Sequence, residues 1–326
     1  MRPEFTPADI AEARRLKAKL NWLPRLRMQT WSGRVFLNAM LWLVELYPWV
    51  RGSGGSASRE LRTVLSMGRK VKLRIYRPVG ACQGIILDIH GGGWTIGNAR
   101  INDGENARLA TRLGVAVVSV DYGLALAAPV TSVVEDCEAA AVWVVKNAER
   151  ELGATSILIK GASAGAHLAA LTLLRLRDGP VAFGAVKGAV LFFGLYDFSG
   201  TAMVRGAGPD KLILHGPTVR ATLCKLTPKM TDEERRDPSI SPLYADLAGL
   251  PPALFLVGAE DMLLEDNERM EAKWRAANGN STLLVVPESP HAFDRFRTAI
   301  ATKVETFADN WIVDQLDAER RPRPVA

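Results

Sequence analysis

Ser163 stands in the frame Gly-Ala-Ser-Ala-Gly, inside the run "SILIKGASAGAHLAALTLL". A serine oxygen is a poor nucleophile unless it is exposed and a neighbouring base takes its proton. The run supplies the exposure. A β-rich segment leads into Ser163, a helix-forming segment leads out, and Gly161 and Gly165 are small enough for a sharp turn and close packing between them. The helix that follows aims its N-terminal N–H groups near Ser163, where negative charge is stabilised. Upstream, "HGGGW" spans His90 to Trp94 and also follows a β-rich run. Consecutive glycines let a backbone approach a ligand closely and point N–H donors at it. Beside a nucleophilic serine that describes an oxyanion hole, with donors from this loop and from Ala164, the residue after the nucleophile.

A base and an acid are then needed. His291, in "LLVVPESPHAF", sits just beyond a strand-like run and is the candidate base. The other three histidines read differently: His90 as a brace for the glycine loop, His167 as packing one turn after Ser163, His215 as surface or pocket wall. The acid comes from "LFLVGAEDMLLED", which offers Glu260, Asp261, Glu265 and Asp266. Glu265 and Asp266 are residues favoured at a helix start. Asp261 lies just past the strand, and its neighbour Glu260 serves if the loop is shifted by one.

The elements that must hold these residues alternate. "RKVKLRIYRP", "QGIILDIH", "VAVVSVDY", "SILIKG", "VKGAVLFFGLYD", "PPALFLVGAED" and "STLLVVPES" read as strands. Helix-like segments separate most of them, and a final helix runs from about Thr298 to Leu316. Strands alternating with helices predict an α/β fold with a mainly parallel central sheet flanked by helices on both faces. Two stretches stand outside the alternation. Residues 1–55 read as helices, with Phe36, Met40, Leu43, Val44 and Tyr47 on one apolar face, ending in the Gly/Ser joint "RGSGGSAS". Residues 198–250 carry Gly, Pro and short helical pieces without a clear strand. Both are expected to form a helical cap over a catalytic domain of residues 56–197 and 251–326. Trp22, Trp31, Trp42 and Trp49 put half of the eight tryptophans in the N-terminal stretch. There they pack between cap helices or line an apolar acyl or alcohol pocket.

Composition narrows the classes. With 326 residues, 48% hydrophobic and 23% charged, the chain can bury a sizeable core. The formal charge of +6 is spread along the chain rather than gathered with aromatics, so nucleic acid is not an expected partner. The most apolar run, "VFLNAMLWLVELYPWV", is shorter than the roughly 20 residues that span a bilayer, and a membrane partner is not expected either. Three scattered cysteines and an N-terminus without a secretory pattern point to a cytoplasmic protein. No histidine has metal-ligand spacing, and neither metal nor cofactor is expected.

The motifs together resemble the hormone-sensitive-lipase-like branch of the α/β-hydrolase fold, the bacterial family IV esterases. The resemblance rests on "HGGGW", "VVSVDY", "VED", "GASAG", "DPSISPLYADLAGLPPALFLVGAED" and "HAF", from about Ile75 to the final helix. It implies the triad Ser163, Asp261 and His291, because the family's acid falls three residues after the strand-end glycine, here Gly258. It implies oxyanion donors Gly91, Gly92 and Ala164, a helical cap, no cofactor, and cleavage of small-molecule esters of short or medium acyl chains. It further implies a possible homodimer formed through the edge strand near "STLLVVP". The chain departs from the family at three places. Ala162 stands where Asp or Thr is usual, Gly123 to Ala127 replace a charged Arg-Leu-Ala-Pro-Glu run, and Met262 replaces Pro. The expectation is that positions 162 and 123 belonged to one polar network and lost their charges together. The function expected is a serine carboxylesterase working through an acyl-enzyme. An amidase with the same triad is the nearest alternative, and a non-catalytic receptor on this fold the more distant one.

Overall fold

Alternating apolar runs become one sheet in the computed structural model, which describes residues 2–21, 57–125, 129–209 and 213–317. Eight strands are ordered β1-β2-β4-β3-β5-β6-β7-β8. They are β1 Ser58–Ser66, β2 Arg69–Arg77, β3 Ile85–Ile89, β4 Ala116–Asp121, β5 Ile157–Ala162, β6 Val186–Phe192, β7 Ala253–Gly258 and β8 Ser281–Val286. β1 and β2 form an antiparallel hairpin, β2 pairs antiparallel with β4, and every later pairing is parallel. The central strands β3 and β5 are buried along their whole length, as parallel strands covered on both faces must be.

Strand β1 escapes sequence reading for a physical reason. Its run "SRELRTVLS" buries only Val64 and leaves Leu61 and Leu65 exposed, so no two-residue apolar alternation marks it. Its register with β2 and the turn at Met67 and Gly68, both at positive φ, define it instead.

The helices among the described residues are α1 Pro7–Asn21, α2 Asp103–Leu113, α3 Val130–Asn147, α4 Ala164–Asp178, α5 Ala202–Gly206, α6 Gly216–Leu226, α7 Leu264–Asn278 and α8 Ala299–Asp317. One apolar cluster joins α3, α4 and α7 to the sheet, and a second joins α8 and part of α2 to it from a different set of strand residues. Helix α1 docks on α8: Lys303 pairs with Asp9, and Glu12 accepts a bond from the Ala299 amide at 2.8 Å. The rest of the expected N-terminal cap helix, with Phe36 through Tyr47 and all four of its tryptophans, lies outside the described residues. In residues 198–250 the described chain forms α5, α6 and short turns, with no strand among the described residues.

Candidate active site

β5 ends in Ala162 and α4 begins at Ala164, so Ser163 alone makes the turn, with φ 56° and ψ −121°. That conformation is strained for a residue with a side chain. The backbone allows it because its neighbours come very close. A Cβ at Gly165 would lie 2.0 Å from the Ile89 carbonyl oxygen, so only glycine fits there. The Ser163 amide donates to the Phe192 carbonyl at 2.8 Å, fixing the turn to β6.

The loops after β7 and β8 bring the other two residues to it. His291 Nε2 lies 2.9 Å from Ser163 Oγ, and His291 Nδ1 lies 2.7 Å from Asp261 Oδ2. Asp261 Oδ1 accepts the Leu263 amide at 3.0 Å, which aims the carboxylate. The Asp261 carboxylate is fully buried and His291 nearly so. Glu260 points elsewhere, to Lys17 on α1. Phe193 packs edge-on against the His291 ring at 4.7 Å and limits its rotation.

The glycine loop folds back over the elbow. Gly92 has φ 124°, and a Cβ on it would lie 2.1 Å from the Ile96 carbonyl oxygen. A Cβ on Gly91 would lie 2.8 Å from the Ala162 carbonyl oxygen. The amides of Gly91, Gly92 and Ala164 make no hydrogen bond with other described residues. His90 braces this loop: its Nδ1 is 2.7 Å from the Gly91 carbonyl, and its ring stacks on Tyr122 at 4.1 Å. Burial lowers its pKa, keeping it neutral.

His167 is also a brace. Its Nδ1 accepts from Trp94 Nε1 at 3.1 Å, and its Nε2 donates to the Ile240 carbonyl at 2.7 Å, tying the glycine loop to residues 198–250. Burial pushes its pKa down from 6.5 to about 4, with the Ile240 bond opposing. A proton on Nδ1 would face the Trp94 donor, which adds to the cost of charging it. The unfolded chain therefore binds more protons than the fold between those values, and this histidine makes stability fall as pH drops from 6.5 to about 4. Over that interval the wild type should lose roughly 3 kcal/mol more than His167→Gln, read from urea melts at each pH. Parallel curves would show that His167 titrates normally.

A buried ionic cluster that sequence reading passed over lies beneath the site. Asp88 of β3 accepts from Asn102, Asn106 and Ser119 at 2.8 to 3.0 Å. Lys160 of β5 approaches Asp88 at 3.4 Å and Glu105 at 3.0 Å. Arg295, four residues after His291, donates to Asn102 at 2.6 Å. The available signal was a lysine inside the apolar run "SILIKG", three residues before Ser163.

Ala162 and Gly123, which carry no polar side chain, make separate contacts in this chain. The Gly123 amide donates to Asp136 at 2.9 Å, and Asp136 is paired with Arg69 from β2 at 2.7 Å. Ala162 instead packs in the apolar cluster that holds Phe192 and Phe193. Strand β3 lies between β5, which ends in Ala162, and β4, which ends two residues before Gly123.

Among the described residues, two cavities meet at Ser163. The larger, of about 270 Å3, reaches past Gly91 and Gly92 to Phe193, His291 and Arg295. The smaller, of about 40 Å3, runs between Trp94 and α6.

A family model described as the α/β hydrolase fold matches residues 86–295. A carboxylic ester hydrolase, LipN of Mycobacterium tuberculosis, is 31% identical over 231 residues, 69% of this chain. The match spans 61% of LipN's own length. Among solved structures, a bacterial heroin esterase superposes with a TM-score of 0.84 at 27% identity, covering 93% of this chain and 97% of that one. A hyperthermophilic esterase from the archaeon Pyrobaculum calidifontis gives 0.77 at 25% identity, covering 98% and 99%. With more than half its length matched and its motifs at these positions, the chain belongs to the α/β-hydrolase fold family, in its hormone-sensitive-lipase-like branch.

Proposed function

We propose that the protein is a serine carboxylesterase acting on short- to medium-chain esters. The observation that carries this reading is the continuous relay from Asp261 through His291 to Ser163, with distances of 2.7 and 2.9 Å. Ser163 Oγ attacks the ester carbonyl while His291 Nε2 takes its proton, and Asp261 stabilises the imidazolium. The amides of Gly91, Gly92 and Ala164 receive the oxyanion. His291 then protonates the leaving alcohol, and the same nitrogen activates water to cleave the acyl-enzyme. Residues 198–250 and the N-terminal segment act as the cap that shapes the substrate pocket.

The esterase names and similarity of its relatives support this reading. The test uses a fluorophosphonate ester and p-nitrophenyl butyrate. The expected result is steady turnover of the butyrate, stoichiometric loss of that activity on phosphonylation, and the label on the peptide containing Ser163. A label elsewhere would overturn the nucleophile. A folded protein that takes no label and turns over no ester would favour a receptor that binds without cleaving.

A further inference from the structure

The geometry points to Asn267 as a positioning residue that aims both the acid and the base of the triad while touching neither, a reading that rests on the esterase function proposed above. Asn267 stands in the first turn of α7, six residues after Asp261, and is fully buried. Its side-chain amide joins two segments. Oδ1 accepts the Gly194 amide at 3.2 Å and Nδ2 donates to the Gly194 carbonyl at 2.9 Å, so one side chain pairs with both backbone groups of one residue. Nδ2 also donates to the Leu263 carbonyl at 2.8 Å. An amide carries an acceptor beside a two-proton donor, which matches the one N–H and two carbonyls it meets here.

Each segment leads to one member of the triad. Gly194 follows Phe193, where the chain leaves β6. Phe193 has φ 37°, a left-handed conformation that is costly for a residue with a side chain and persists only where its surroundings enforce it. The Leu256 carbonyl accepts the Phe193 amide at 2.7 Å, and Asn267 grips the next residue. No side chain fits at Gly194, where a Cβ would lie 2.3 Å from the Tyr196 hydroxyl oxygen. Held in this way, the Phe193 ring stands edge-on to His291. The second segment is the acid's own loop. The Leu263 amide bonds Asp261 Oδ1 at 3.0 Å, and Asn267 fixes the carbonyl of that same residue. The neighbouring Asp266 is engaged further along, by the amides of Tyr196 and Asp197 and the Thr201 hydroxyl. The peptide next to Phe193 is therefore left to Asn267.

A double-mutant cycle tests this, with kcat on p-nitrophenyl butyrate measured per folded monomer. Asn267→Ala and Asn267→Ser are each made with Asp261 intact and with Asp261→Asn. With Asp261 intact, Asn267→Ala should lower kcat about a hundredfold, the scale of a loss of alignment by roughly 1 Å. A helical serine still reaches the carbonyl four residues back, here Leu263, but not Gly194, so Asn267→Ser should lose only about tenfold. Where Asp261 is already asparagine, less alignment remains to lose. There Asn267→Ala should cost less than about tenfold and Asn267→Ser less than about threefold. A residue that merely held the fold would cost the same factor in both backgrounds. Equal losses therefore overturn the positioning role, as does a folded Asn267→Ala within about twofold of wild type. If Asn267→Ala yields no folded protein, the serine variant completes the cycle by itself and is read by the same comparison. Either result leaves the esterase reading intact, whereas wild-type protein that does not turn over the butyrate overturns both.

Discussion

Ser163→Ala and His291→Gln should each lower kcat on p-nitrophenyl butyrate by about 10⁶, Asp261→Asn by about 10⁴, and Glu260→Gln by less than about twofold. The order follows from contact. In the proposed mechanism Ser163 forms the covalent bond, and His291 lies 2.9 Å from its oxygen. Without either, only the oxyanion amides and binding remain, so the two losses are equal and a double variant adds little. Asp261 touches only His291, at Nδ1, and asparagine there would fix the wrong tautomer. Glu260 is spent on Lys17 of α1. Its replacement should loosen the docking of α1 while kcat stays near wild type. Rates from steady-state kinetics, with the melting point of each variant as a folding check, separate these cases. A large loss in Glu260→Gln with little in Asp261→Asn would move the acid by one residue.

That neighbouring pair shows what the sequence could and could not specify. Spacing placed an acid just past β7, but adjacent residues on a loop point in different directions, and the 2.7 Å contact with His291, with the Leu263 amide on the other oxygen, shows that Asp261 is the one aimed. The elbow and the glycine loop were legible because their close approaches admit only glycine, a constraint written into single residues. Strands β2 to β8 were legible because burial on one or both faces imposes a pattern, whereas β1, which buries only Val64, imposes none. The missing charge at position 123 was legible as an absence, but not its replacement. A Cβ at Gly123 would lie 3.2 Å from Asp136 Oδ2, where a longer side chain would meet the acid. Arg69 reaches the same carboxylate from β2. The link between positions 69 and 136 is a tertiary contact across 67 residues, invisible to any local pattern. Asp136, the acid that faces Gly123, is thus neutralised by Arg69, and Ser163, Asp261 and His291 lie on other loops.

Lys160→Met should destabilise the fold by about 3 to 5 kcal/mol, the usual cost of leaving a buried charge without its partner. Lys160 is almost wholly buried and Asp88 fully so. Burial opposes the charge on each of them. Glu105 and Asp88 nonetheless hold the Lys160 pKa above its usual value, and Lys160 with the Asn106, Asn102 and Ser119 donors holds Asp88 below its own. Removing the ammonium strands two carboxylates. Asp88 feels it more, because Glu105 is partly exposed and can turn toward water. The cluster also spans the strands that set the site: Asp88 lies two residues before His90 on β3, and Lys160 three before Ser163 on β5. Arg295 joins it through Asn102 to the loop that carries His291. The loss of stability should therefore come with a lower kcat in the fraction that remains folded. Charge, and not the volume of the side chain, is the cause, so Lys160→Met combined with Asp88→Asn and Glu105→Gln should recover most of the stability. Urea melts of the single and triple variants decide it: a triple variant less stable than the single one would mean that packing around the lysine stem, and not its charge, holds these strands together.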